Sequence, residues 1–137
     1  MAEAVFAHKV REAGLEDAIE ADSAGTGHWH VGEPPHSGTR RILAREGIAY
    51  AGRARLIAPA DFDRFDYIVA MDRQNRRDIE AMGSGRARVV LFMDYAPHLG
   101  VAEVPDPYYD GRFDAVYDLV QEAAEGLLAA IRREHGL

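Results

Sequence analysis

Two stretches, Tyr67-Ile68-Val69-Ala70-Met71 and Val89-Val90-Leu91-Phe92-Met93, are continuously apolar yet too short to be helices. That is the pattern of strands covered on both faces. Elsewhere apolar residues recur at helical spacing. Ala4, Val5, Val10 and Leu15, with Phe6 and Ala13 beside them, predict an opening helix that stops at Gly14. Phe113, Val116, Tyr117, Val120, Ala124, Leu127, Leu128 and Ile131 predict a long terminal helix over 113–133, packed on the sheet. Between these, Ile19 and Ala21 within Ala18–Ala24 predict a short strand running into Gly25-Thr26-Gly27. Thr39–Glu46 predicts a second short helix closed by Gly47, and Arg53–Ile57 is ambiguous, a short extended piece at most. Pro59-Ala60-Asp61-Phe62 opens a helical turn, and Asp72 caps a helix that runs to about Met82 and ends at Gly83-Ser84-Gly85.

Strands alternating with helices predict an α/β fold, a three-layer sandwich with a small parallel sheet flanked by helices. Three strands, near 18–24, 66–71 and 87–93, make a small sheet. The opening helix has no strand before it to complete a βαβ unit, so the missing piece is expected immediately upstream of Met1. Residues 1–137 are expected to form a single domain, incomplete at its N-terminus, without internal repeat, linker or low-complexity segment.

Composition narrows the function classes. The 137 residues carry a net charge of −7, with arginines scattered among acids, so no basic face follows a phosphate backbone and nucleic acid is not an expected partner. No apolar run approaches the roughly 20 residues needed to cross a bilayer, and there is no signal-peptide pattern, so no membrane partner and a cytoplasmic location are expected. The chain has no cysteine, which excludes a disulfide, a thiolate metal site and a thiol nucleophile within it.

The most informative polar residue is Asp106, in Val104-Pro105-Asp106-Pro107-Tyr108-Tyr109-Asp110-Gly111. Pro105 has its φ fixed near −65° and Pro107 pushes Asp106 toward extended geometry, so the carboxylate sits on a stiff arm. Such an arm can act as a general acid over a leaving oxygen, and Tyr108 and Tyr109 offer aromatic walls for a flat substrate. A turn aspartate and two loop-anchoring tyrosines are the structural alternatives. Trp29 is either at a pocket rim or an ordinary packed indole. Ser23 follows the first predicted strand, where ligands gather in open α/β sheets, but taken alone it is better explained as a satisfied turn hydroxyl. Asp72 and Asn75 have a sufficient explanation as helix cap and first-turn residues. His28, His30 and His36 lie among glycines and prolines with no nearby cysteine or well-spaced acid to complete a site, so no metal is expected. Asp61-Phe62-Asp63 precedes a strand where aspartate-dependent phosphoryl chemistry needs it to follow one, so it reads as a solvated helical turn. Arg40, Arg41 and Arg45 read as an exposed helical face.

Taken in order, Met1–Phe6, Asp22-Ser23-Ala24-Gly25-Thr26, Trp29-His30-Val31-Gly32, Arg53-Ala54-Arg55, Phe65–Asp72, Asn75 and Asp106-Pro107-Tyr108-Tyr109 resemble the low-molecular-weight protein tyrosine phosphatases over nearly the whole chain. The resemblance implies a phosphotyrosine phosphatase I-like fold, with flavodoxin-like strand order, lacking its first strand and the Cys-x-x-x-x-x-Arg phosphate-binding loop that follows it. It implies hydrolysis of a phosphotyrosine protein or small aryl phosphate through a cysteinyl-phosphate, with Asp106 as general acid and then general base and with no cofactor. By the same resemblance Trp29, Tyr108 and Tyr109 bind substrate, while Ser23, Asp72 and Asn75 support the site from behind. Many relatives carry a histidine where this chain has Gly52. Lacking the nucleophile, the chain is expected to be inactive alone. A non-catalytic phosphatase-like binding protein and a relative of the arsenate reductases are the alternatives.

Overall fold

The computed structural model describes residues 1–26, 32, 36–50, 55–105 and 112–137. Its elements in chain order are α1 (Ala2–Glu12), α2 (Ser37–Arg45), α3 (Asp61–Arg64), β1 (Tyr67–Ala70), α4 (Arg73–Met82), β2 (Arg88–Leu91) and α5 (Phe113–His135). The two strands run parallel, with Tyr67 opposite Arg88 and Ala70 opposite Leu91.

The alternation of side chains along β1 explains the layers. Tyr67 and Val69, with Met71 just beyond the strand, pack against the larger core, built from α1, α2, α5 and the turn after β2. Ile68 and Ala70 face a smaller core with Phe62, Ile79 and Leu91, contributed by α3, α4 and β2. Helices therefore cover both faces of the sheet, as the apolar runs predict. In the larger core, α1 lays Ala4, Val5 and Val10 against the apolar face of α5, which buries Val116, Val120, Ala124, Leu127 and Ile131. Each Val, Leu or Ile among them contributes about 1.5–3 kcal/mol by leaving water. Backbones come close where α5 crosses the turn after β2: a Cβ added at Gly126 would lie 1.9 Å from the carbonyl oxygen of Tyr95.

Two predicted strands differ from the structure. Over Ala18–Ala24 there is no strand: Ala18 and Ile19 turn back to the Leu15 carbonyl, and only Gly25 forms a parallel bridge, with Leu56. Ile19 and Ala21 still pack against the larger core. A strand, however, needs a ladder, and from Glu20 to Ala24 the backbone has no backbone partner among the described residues. The second strand ends at Leu91, and Phe92–Tyr95 forms a 3₁₀ turn. Continued alternation would send Phe92 and Met93 to opposite faces, whereas the turn buries both in the larger core. A further 3₁₀ turn at Pro97–Leu99 ends in left-handed Gly100, at φ +66°.

Candidate functional site

Ligands of parallel α/β sheets gather beyond the carboxyl ends of the strands. At that end of β1 the chain makes a tightly bonded turn. Asp72, extended in backbone, accepts the Asn75 N–H at 2.7 Å and so caps α4. Asn75 returns the bond across the turn, its Oδ1 accepting the Met71 N–H at 3.1 Å. The Met71 carbonyl in turn accepts the Val104 N–H at 2.9 Å, and Glu103 accepts the Arg73 N–H at 2.8 Å. Two N–H groups of the first turn of α4 are thereby satisfied by carboxylates, Asp72 and Glu103. The consequence concerns Asp106, two residues beyond Val104: the segment leading into it is pinned to the turn made by Asp72 and Asn75.

A second polar group surrounds the start of α1. Ser23 Oγ donates to Glu3, and the Tyr50 hydroxyl donates to the same Glu3 oxygen at 2.8 Å. Burial first, and then the bond to Glu3, push the Tyr50 phenol up to about 12. Beside it, Arg55 joins Asp22 (3.1 Å) to Asp61 (3.0 Å), and Asp61 also accepts the Ala58 N–H at 2.8 Å. The Arg55 hydrogen bond, aided by that N–H, holds the Asp61 carboxyl below its ordinary value. Asp61 is only 7% exposed, which corrects its reading as a solvated helical residue: it is a buried anion with a fixed guanidinium partner.

The structure thus brings Asp72 and Asn75 together and places Ser23 in a separate group, its hydroxyl engaged by Glu3. Asp106, Trp29, Tyr108 and Tyr109 lie outside the described residues, as do His28, His30 and Gly52. His36 caps α2 through Nδ1. Among the described residues no group of three or more His, Cys, Asp or Glu is arranged to hold a metal, and no helix is long and apolar enough to cross a membrane. Arg40 and Arg41 are exposed, and Arg45 pairs with Asp114 and Glu46. A hollow of about 200 Å³ between α1, the end of α2 and α5, lined by His8, Glu12, Glu46 and Tyr117 among others, contains none of the candidate residues.

Glu103, Glu3, Tyr50 and the Asp22–Arg55–Asp61 group were not foreseen as parts of the site. Glu103 could have been found as an acid shortly before the Asp106 arm with a helix start to satisfy. The others pair across 20 to 47 positions or through a non-helical turn, and no local pattern marks them.

The model of the family described as low molecular weight phosphotyrosine protein phosphatase matches residues 1–136. The low molecular weight protein-tyrosine-phosphatase YfkJ of Bacillus subtilis is 45% identical, over 100% of this chain and 90% of its own length. The corresponding protein of Streptomyces coelicolor is 41% identical, covering 98% of this chain and 86% of its own. A crystal structure of YfkJ superposes with a TM-score of 0.93 at 44% identity, covering 98% of this chain and 86% of that one. That of a Drosophila arginine phosphatase gives a TM-score of 0.90 at 32% identity, over 96% and 88%.

Proposed function

The chain belongs to the low molecular weight phosphotyrosine protein phosphatase family, and on that premise we propose that residues 1–137 supply the scaffold, the general acid and the aromatic walls of a phosphotyrosine hydrolase whose thiol nucleophile is not among them. In this reading a cysteine thiolate attacks the phosphorus of an aryl phosphate ester. The S–P bond forms, the P–O bond to the aryl group breaks, and Asp106 gives its proton to the departing phenolate oxygen. Asp106, now a carboxylate, takes a proton from water as that water attacks phosphorus. The S–P bond then breaks to release inorganic phosphate and the thiolate. Tyr108, Tyr109 and Trp29 flank the aromatic ring, with a phosphotyrosine protein or small aryl phosphate as substrate. Asp72 and Asn75 act behind them by fixing the turn from which the Asp106 segment hangs, and Ser23 fixes the start of α1 through Glu3.

The observation that carries this reading is the pair of bonds from Glu103 and Val104 to the end of β1 and the start of α4, because a general acid needs its arm tethered where the sheet gathers its ligand. The same reading takes residues 1–137 as one domain, since β1 contributes side chains to both cores, and places it in the cytoplasm.

The 137-residue chain alone should release no p-nitrophenol from p-nitrophenyl phosphate; turnover that disappears in Asp106→Ala would overturn the proposal. A second reading, a phosphatase-like protein that binds phosphorylated partners without cleaving them, has the absence of cysteine in its favour. Intact mass and iodoacetate labelling of the protein from its natural source separate the two. A heavier, alkylatable species supports the hydrolase, and a species of the mass of this chain supports the binding protein.

A further inference from the structure

The structure assigns His36 a positioning role: one imidazole fastens together the starts of α2 and α5, the helices into which the segments bearing Trp29 and bearing Asp106, Tyr108 and Tyr109 run. The inference rests on the reading of those four residues given above. His36 stands at the cap of α2 with φ −53° and ψ 145°, and its Nδ1 accepts the Gly38 N–H at 3.0 Å. The same ring stacks on Phe113, the first residue of α5, with centroids 5.0 Å apart and planes 17° from parallel. Phe113 is itself buried, and its ring fills the space above Gly38, where an added Cβ would lie 2.5 Å from Cε2.

Residue chemistry makes histidine the fitting choice. Serine, threonine, aspartate and asparagine cap helices well but have no ring to stack. Phenylalanine stacks but has no acceptor for the Gly38 N–H. Histidine does both, accepting at one ring nitrogen while its face lies on Phe113. Trp29 precedes His36 by seven positions and Tyr109 precedes Phe113 by four, so this contact sets where both segments end. Losing it frees both ends together and leaves the turn at Asp72 untouched.

The two halves of the device separate by substitution. His36→Asn keeps the cap and loses the stack, His36→Phe keeps the stack and loses the cap, and His36→Ala loses both. Hydrogen exchange of the whole chain, read by peptide, should show His36→Ala exchanging about fivefold faster over both 36–40 and 112–116, with α4 and the strands unchanged. His36→Asn should show the change over 112–116 alone, and His36→Phe over 36–40 alone. Unchanged exchange over 112–116 in His36→Ala, or a uniform rise across the chain in every variant, would overturn the role. None of these readouts depends on phosphatase chemistry, so failure of the functional reading and failure of the His36 joint are told apart.

Discussion

The turn at the end of β1 and the polar group at the start of α1 both tie distant segments together, yet they differ in how much of the bonding is local. At the turn, Asp72 and Asn75 bond to residues three or four positions away, and only Glu103 and Val104 come from afar. At α1 the bonds of Glu3 to Ser23 and Tyr50 and of Asp22 to Arg55 are long-range, while Asp61 bonds to Arg55 and Ala58, six and three positions away. A local turn survives the loss of one bond because chain connectivity keeps the partners close. A long-range cluster closes its loops by means of those bonds, so each carries part of the ordering entropy. The long-range bonds to Glu3 should therefore be the more easily broken, whereas the largest single loss is set by burial, at Asp61.

The largest effect is expected at Asp61. Asp61→Ala leaves the Ala58 N–H without its acceptor and strips Arg55 of its buried partner, although Asp22 remains to it. The expected loss is about 3 kcal/mol in urea unfolding; a loss no larger than that of an ordinary surface substitution would show that Asp22 suffices. The same pair sets an acid limb. Because Arg55 depresses the folded-state pKa of Asp61, its stabilisation is present above the ordinary aspartate value and disappears as pH falls below about 4 through the folded value. Asp61→Asn should flatten that part of the stability profile, and an unchanged acid limb would place its origin elsewhere.

Breaking the other side of the comparison should do less. Asp72→Ala removes one cap and is expected to cost about 1 kcal/mol, while Asp72→Asn costs a few tenths. Asn75→Ala should cost about as much as Asp72→Ala, by leaving the Met71 N–H without its acceptor. The double variant tests locality directly. If the two bonds hold one turn, its cost falls short of the sum by about 0.5 kcal/mol or more, and strict additivity would mean that they act independently.

The same division decides what could be read in advance. The Asp72 cap, the helix ending at Met82, the β1 run and the apolar face of α5 are written in neighbouring residues, and each stands within a residue or two of where periodicity and capping chemistry predict it. The failures concern partners. Ile19 and Ala21 have a strand's composition, but a strand exists only with a ladder beside it. Phe92 and Met93 extend an apolar run, but one core claims both, and the chain turns to oblige it. Asp61 looks like any acid opening a helix, yet it is buried and bonded to a guanidinium six positions upstream, next to the Leu56 that bridges Gly25. Of the candidate site, the aspartate and asparagine of the turn were legible because capping is local. The tie of Glu103 and Val104 to that turn was not, because Glu103 reaches Arg73 across thirty positions.

The smallest expected effect lies at Tyr50, and it sharpens the comparison most. Tyr50→Phe removes a single hydroxyl from Glu3, which keeps Ser23 as a donor, so the cost at neutral pH should be about 0.5–1 kcal/mol. The alkaline limb carries the specific signature. A phenol raised from 10 to about 12 holds its proton more tightly in the folded chain than in the unfolded one. Its contribution is therefore complete below pH 10 and is lost as pH rises toward 12. Stability of the unsubstituted chain should fall across that window, because burial, and then the bond to Glu3, disfavour the ionised phenol. In Tyr50→Phe the slope should be shallower, since no proton is left there to lose. Ser23→Ala takes away the other donor to Glu3 and should leave the slope in place. If instead Tyr50→Phe keeps the full slope, the proton lost belongs to another of the phenols raised by burial, Tyr67, Tyr95 or Tyr117, and the α1 group would be held by Ser23 and Glu3 without help from Tyr50.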